Sequence, residues 1–248
     1  MSKFKFLALG VAMASMSAAA LAEGPLSIGV GAGWADTPYK EYDQKVVPIP
    51  VINYEGDNFW VRGLGAGYYV WNDQTDKLSI MAYYLPFQFK PKDSDDEQLR
   101  RLDKRKSTLM AGLSYTHFTQ YGFLRTSLAG DTLDNNNGIL WDIAWLYRYT
   151  NGNLTLTPGI GAEWNSDNMN EYYFGVSRNE SRRSGLDDYD PEDGWNPYVE
   201  LTASYRMSDN WTVYGSGRYT RLSDEIKDSP MVDKSWTGLI STGITYKF

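Results

Sequence analysis

The chain has no cysteine and a single histidine, His117, in 248 residues. Without thiols there are no disulfides, no thiolate metal sites and no cysteine nucleophile. Beyond the N-terminal segment no apolar run approaches the ~18 residues that a membrane-crossing helix needs. Basic charge is scarce too. Against 31 Asp and Glu stand 24 Lys and Arg, a net charge of −7 and the wrong sign for the basic stripe that nucleic acid requires. Aromatic residues are abundant by contrast, with 19 Tyr and 9 Trp, while mean hydropathy is negative. That combination suits a membrane barrel, whose strands alternate lipid-facing and wet residues and carry Trp and Tyr at both interfaces.

The C-terminus has this pattern. Trp236, Ile240, Ile244, Tyr246 and Phe248 share one parity, and Thr237, Ser241, Thr245 and Lys247 share the other. A period of two that ends on an aromatic carboxylate residue reads as the closing strand of an outer-membrane barrel, with Tyr246 and Phe248 as its assembly signal. At the other end, Lys3 and Lys5 precede an apolar stretch, and Ala20-Leu21-Ala22 has the small-x-small form of a signal-peptidase site. Residues 1–22 are therefore expected to be a cleaved signal peptide and 23–248 a single barrel domain in a Gram-negative outer membrane, in contact with its lipid. No cysteine follows the cut, which excludes a lipoprotein anchor there.

Strand-like segments fall at about 26–35, 46–55, 58–71, 78–90, 106–118, 121–131, 138–150, 153–165, 171–178, 196–207, 210–222 and 235–248. Turn signals such as Glu55-Gly-Asp-Asn58, Asn135-Asn-Asn-Gly138 and Ser208-Asp-Asn210 separate them. The expected fold is an all-β, antiparallel, up-and-down transmembrane barrel of about twelve strands. Ten is the alternative, because Tyr172-Tyr-Phe-Gly-Val-Ser177 also fits a long loop over 166–195. Parity places Ile139, Trp141, Ile143 and Trp145 toward lipid and Asp142 inward. A charge on the lipid face costs on the order of 2–4 kcal/mol near the bilayer midplane. The charges of inward parity are Arg62, Arg125, Asp142, Arg148, Glu163, Glu200, Arg206 and Arg218. They either line a narrow small-solute channel or pair and close the interior; in so narrow a barrel the second is the simpler reading.

Catalytic chemistry is hard to find. His117 would need a serine on its own face, but positions 115 and 119 are Tyr and Thr, and Ser127 on the next segment is the one fallback. The acidic run 187–193 lacks the spacing and glycine of a calcium loop. No cofactor, metal site or enzymatic activity is expected. Residues 94–105 look helical, with Ser94 and Glu97 at capping-box spacing and Leu99 and Leu102 on one face. With twelve strands counted as above, 91–105 becomes a long periplasmic turn and 119–122 a tight outer loop. Leu99, Arg100, Leu102 and Arg105 are then the candidate docking residues for a soluble partner.

Three long strings carry a resemblance. Val47-Pro-Ile-Pro-Val-Ile-Asn-Tyr-Glu-Gly-Asp-Asn-Phe59, Asn170-Glu-Tyr-Tyr-Phe-Gly-Val-Ser177 and Tyr219-Thr-Arg-Leu-Ser-Asp-Glu-Ile-Lys-Asp-Ser-Pro-Met-Val-Asp-Lys234 resemble the MipA/OmpV family over the whole chain. The resemblance implies a non-enzymatic scaffold that brings a membrane-bound lytic transglycosylase together with a bifunctional penicillin-binding protein during sacculus growth. It transfers no catalytic residues.

Overall fold

A computed structural model describes residues 26–42 and 46–248. Strands β1 (Leu26–Ala35), β2 (Val46–Glu55), β3 (Phe59–Arg62), β4 (Gly65–Asn72), β5 (Asp76–Leu85), β6 (Thr108–Thr119), β7 (Gly122–Asp131), β8 (Ile139–Leu146), β9 (Tyr149–Asn151), β10 (Leu154–Asn165), β11 (Gly194–Arg206), β12 (Trp211–Arg221) and β13 (Trp236–Lys247) pair antiparallel in chain order. β1 closes the ring on β13, from Ser27↔Lys247 to Ala35↔Leu239. β8 and β9 both pair with β10 and form one crossing, so the barrel has twelve staves. Closure leaves every crossing strand with neighbours, which the bilayer demands because it offers no water to backbone groups.

The count of twelve stands, but two of its members change. Residues 58–71 are not one strand: Gly63 takes φ 56° and turns β3 back as β4. Residues 171–178 are not a strand either, because α1 (Asp167–Phe174) takes the first half of them and a second helix starts at Arg178. Both changes reverse the direction of the staves between them. The segment 91–105 therefore lies at the end opposite the termini, and 120–121 is a tight turn at the terminal end. The longer connections (the described residues 36–42 after β1, 86–107, 132–138, 166–193 and 222–235) now share one end, and the turns 56–58, 73–75, 120–121 and 207–210 share the other; only the β3–β4 turn at 63–64 among the short turns points toward the first. Long outer loops and short periplasmic turns are the usual form of such barrels, so the start of β1 and the end of β13 are periplasmic.

The outer wall is an apolar band between aromatic girdles. Val30, Ile80, Leu113, Leu128, Ile160, Val199 and Ile240 are exposed at mid-height. Trp141 packs tilted against Trp195 and Tyr219 stacks on Trp236 at the outer rim, while Trp211, Tyr246 and Phe248 cluster edge-on at the periplasmic rim. Inward parity is equally strict. Trp60, Met81, Tyr83, Met110 and Leu140 are all buried, so the barrel interior is filled rather than hollow along that side.

The β3–β4 hairpin is shorter than its neighbours. It pairs with β2 only at residues 53–55, and Gly63 N–H donates to the Ile52 carbonyl at 3.0 Å as the last rung. Above that point β2 has no partner on this side among the described residues. Pro48 and Pro50 share the parity of Ile52, so the N–H groups that would face the gap are the ones proline removes. This is how an unpaired strand edge is tolerated at the outer leaflet.

Candidate functional site

Two layers fill the barrel: a charged network across the middle and a folded cap over the outer mouth. In the network, register sets Glu200 opposite Arg218 and Asp142 opposite Glu163. The Arg218 guanidinium donates through Nε (3.1 Å) and Nη2 (2.7 Å) to Glu200 Oε2 and lies 3.9 Å over the Tyr198 ring. Arg125 Nη2 donates to Glu200 Oε1 at 3.1 Å and stands 3.6 Å from Asp142. Tyr198 OH donates to Asp142 Oδ2 at 2.7 Å. Charges this deep exist only in compensated groups, since each alone carries a desolvation penalty of several kcal/mol. Two arginines thus face three carboxylates: Asp142, Glu200 and Glu163.

The remaining inward charges sit elsewhere. Arg62 belongs to a second cluster near the periplasmic mouth, donating to Glu55 Oε2 (2.8 Å) and Tyr69 OH (3.0 Å), with Lys77 on Glu55 Oε1 (2.9 Å). Arg148 lies in the break between β8 and β9, 5.7 Å from the Phe123 ring centre, and Arg206 is exposed at the end of β11.

The cap is a small aromatic core built from the outer loops. Tyr39, Tyr42, Phe89, Tyr173 and Phe174 are buried in it. Tyr39 packs 4.9 Å from Phe89, and its OH donates to the Tyr173 carbonyl at 3.1 Å. Short bridges Tyr39↔Val232 and Tyr42↔Ser94 tie three loops together, while Phe89↔Arg105 and Val176↔Tyr189 each close a loop on itself. Helix α2 (Arg178–Ser184) starts with a capping box between Ser177 and Glu180 and ends on Gly185 in the left-handed region, φ 79°. Glu180 is the cap's polar centre. Its carboxylate accepts from Arg105 Nη2 (2.9 and 3.1 Å), Asp103 N–H (2.9 Å) and Ser177 N–H (3.1 Å). Burial pushes its pKa up, but the Asp103 N–H, the Arg105 charge and the Ser177 donors outweigh that and hold it below the usual glutamate range.

The proposed docking residues are part of this cap. Leu99 and Leu102 are buried in its core and Arg105 is committed to Glu180; of the four, Arg100 alone is exposed. Nor is the segment a helix. It holds a single 3-10 turn, Leu99–Arg101, and the residue that caps it is Asp96, whose Oδ1 accepts from Gln98 and Leu99 N–H. The sequence showed two leucines on one face but not which end of the barrel they cover.

His117 pairs through Nδ1 with Asp76 (2.8 Å), which also accepts from Tyr115 OH, all on the outward face at the periplasmic rim. Ser127 faces the lumen and is buried, so the two stand on opposite sides of the wall. Among the described residues no cluster of three or more His, Asp or Glu is placed to hold a metal. Ala20 and Ala22 lie outside the described residues.

The sequence profile described as MltA-interacting protein MipA matches residues 28–248. The chain belongs to the MipA family. It is 70% identical to the MltA-interacting protein of Escherichia coli (strain K12), with all of both chains covered. It is 40% identical over 223 residues, 90% of this chain and 91% of the other, to the putative outer membrane protein YiaT of the same strain. The outer membrane protein OmpV of Vibrio cholerae is 24% identical over 91% of this chain and 88% of its own. Among solved structures the NanC porin covers 89% of this chain and 100% of its own at 10% identity and a TM-score of 0.48. Family membership and the girdled barrel place this MipA-family chain in the outer membrane.

Proposed function

We propose that this MipA-family barrel is a non-enzymatic scaffold that holds a lytic transglycosylase at the inner face of the outer membrane and brings a bifunctional penicillin-binding protein to it. The observation that carries the reading is the 70% identity, over the full length of both chains, to a protein named for interacting with MltA. The fold supports it: the outer mouth is capped and the interior is filled, so the barrel is better suited to hold a position than to conduct. Anchoring one partner beside another raises their effective concentration without new chemistry. Docking falls to the periplasmic turns, 56–58, 73–75, 120–121 and 207–210, because the outer cap faces away from the murein.

A pull-down with purified, detergent-solubilised barrel tests this. The transglycosylase is expected to be retained, and the penicillin-binding protein to be retained with it. Replacing 91–105 by a short Gly/Ser turn is expected to leave this retention unchanged in a barrel that still shows heat-modifiable migration. Failure to retain the transglycosylase would overturn the scaffold. Loss of retention in the folded replacement would overturn the periplasmic-turn surface.

A further inference from the structure

The wall is incomplete between β2 and β5. Only the short β3–β4 hairpin stands between them, and β2 and β5 do not pair with each other. Above the hairpin turn at Gly63 and Leu64 no strand of the described residues fills the space. At this sill the two edges are three strand spacings apart, about 14 Å. Val46 to Ile52 rises roughly 15 Å along the membrane normal at the usual tilt, about the depth of one leaflet. The slot is closed overhead, where Lys90 N–H donates to Tyr42 OH at 3.0 Å and Tyr42 bridges Ser94.

Both edges of the slot lack donors. Pro48 and Pro50 bring none on β2. On the other side Tyr84 N–H donates to the Leu64 carbonyl at 3.0 Å, and Pro86, two residues on, has no N–H to offer. Adding a strand needs donors as well as acceptors along the edge, so a partner's strand or a second copy of this chain finds no ladder here. The lining is apolar instead. Val47 and Ile49 point inward, paired with Gly33 and Gly31, yet both are only half-buried. Met81, Met110 and Leu140, which point inward from strands with two neighbours, are 2% exposed or less. Leu64 on the sill and Phe87 just beyond β5 are half-buried as well and pack on the aromatic core of the cap. Val30, Val46 and Ile52 beside the slot are exposed and belong to the lipid-facing band, so the slot opens on lipid.

We infer that the slot takes an acyl chain of an outer-leaflet lipid, lying between β2 and the end of β5 on Val47, Ile49 and Leu64. The chain supplies the apolar contact that the missing strands would have made and asks for no hydrogen bond. The site is independent of the scaffold reading.

The test places the full barrel in liposomes with phosphatidylcholine that carries a photoreactive diazirine in the middle of one acyl chain. Adducts are mapped by mass spectrometry after irradiation. Val30, outward and paired with Pro50, marks the lipid-facing wall at the same height. Adducts on Val47 and Ile49 are expected within fivefold of the Val30 adduct and at least tenfold above those on Met110 and Leu140. Ile49→Trp, which fills the slot from β2, is expected to lower the Val47 adduct at least fivefold and to leave the Val30 adduct unchanged. Adducts confined to outward residues, in a wild-type barrel labelled at Val30, would overturn the proposal whether or not the variant folds. So would a Val47 adduct unchanged in folded Ile49→Trp.

Discussion

Replacing Glu180 by alanine is expected to open the outer cap while leaving the barrel wall intact. The substitution strips Arg105 of its carboxylate in a site where both side chains are nearly buried, 10% and 4% exposed. It also leaves the Asp103 and Ser177 N–H groups without an acceptor. Removing one partner of a buried pair costs about 3–5 kcal/mol, more than the cohesion expected of a cap held by a few loops. Amide exchange over 86–107 and 166–193 is expected to quicken by two or more orders of magnitude. Exchange in β10 to β13 is expected to stay slow. Planar-bilayer recordings are expected to show no steady conductance for the wild-type barrel and frequent openings for Glu180→Ala. Acid acts in the same direction. Glu180 has its pKa depressed in the folded cap, so its contribution is full above the ordinary glutamate value and is lost as pH falls through the folded one. Unchanged exchange in the cap of Glu180→Ala would show that the aromatic cluster alone holds the mouth shut.

Replacing Arg218 by methionine strikes the wall instead. Met fills much of the space but leaves Glu200 with Arg125 alone and Asp142 with one arginine fewer. The stacking on Tyr198 goes as well. The expected loss is again about 3–5 kcal/mol, now from the global unfolding free energy. It is measured as a lower urea midpoint at unchanged slope, followed by tryptophan fluorescence in detergent or lipid. Arg218→Met with Glu200→Leu is expected to recover most of that loss, since replacing both partners with apolar groups is often near neutral. A single variant as stable as the parent would mean that water or a neighbour already screens these charges.

The two variants mark what the sequence makes legible. Strict alternation identifies the lipid face and places Arg125, Asp142, Glu200 and Arg218 inward, because a charge on the wrong parity is too costly to keep. Alternation does not say which inward charges meet; that depends on stagger between strands far apart in the chain, such as β7 and β11. The hairpin at Gly63 was missed because apolar and aromatic residues run on through the turn. A signal was present one stave earlier, in Pro48 and Pro50, which suit a strand with an open edge and not one paired along its whole length. Tyr172-Tyr-Phe174 reads as strand by its aromatic content, yet tertiary packing into the cap makes it helix. Taking 58–71 as one strand puts 91–105 on the periplasmic side, and taking 171–178 as another restores the direction of the last staves.

Orientation decides what each end of the molecule can meet, and it can be measured directly because the chain has no cysteine. Single cysteines at Glu97→Cys in the cap and Asp209→Cys in the β11–β12 turn, both exposed positions, would be treated with a membrane-impermeant maleimide on intact cells. The account predicts labelling at 97 on intact cells and labelling at 209 only after the outer membrane is permeabilised. Labelling at 209 on intact cells, with 97 protected until permeabilisation, would invert the barrel. It would turn the cap toward the periplasm and contradict the assignment of partner docking to the short turns.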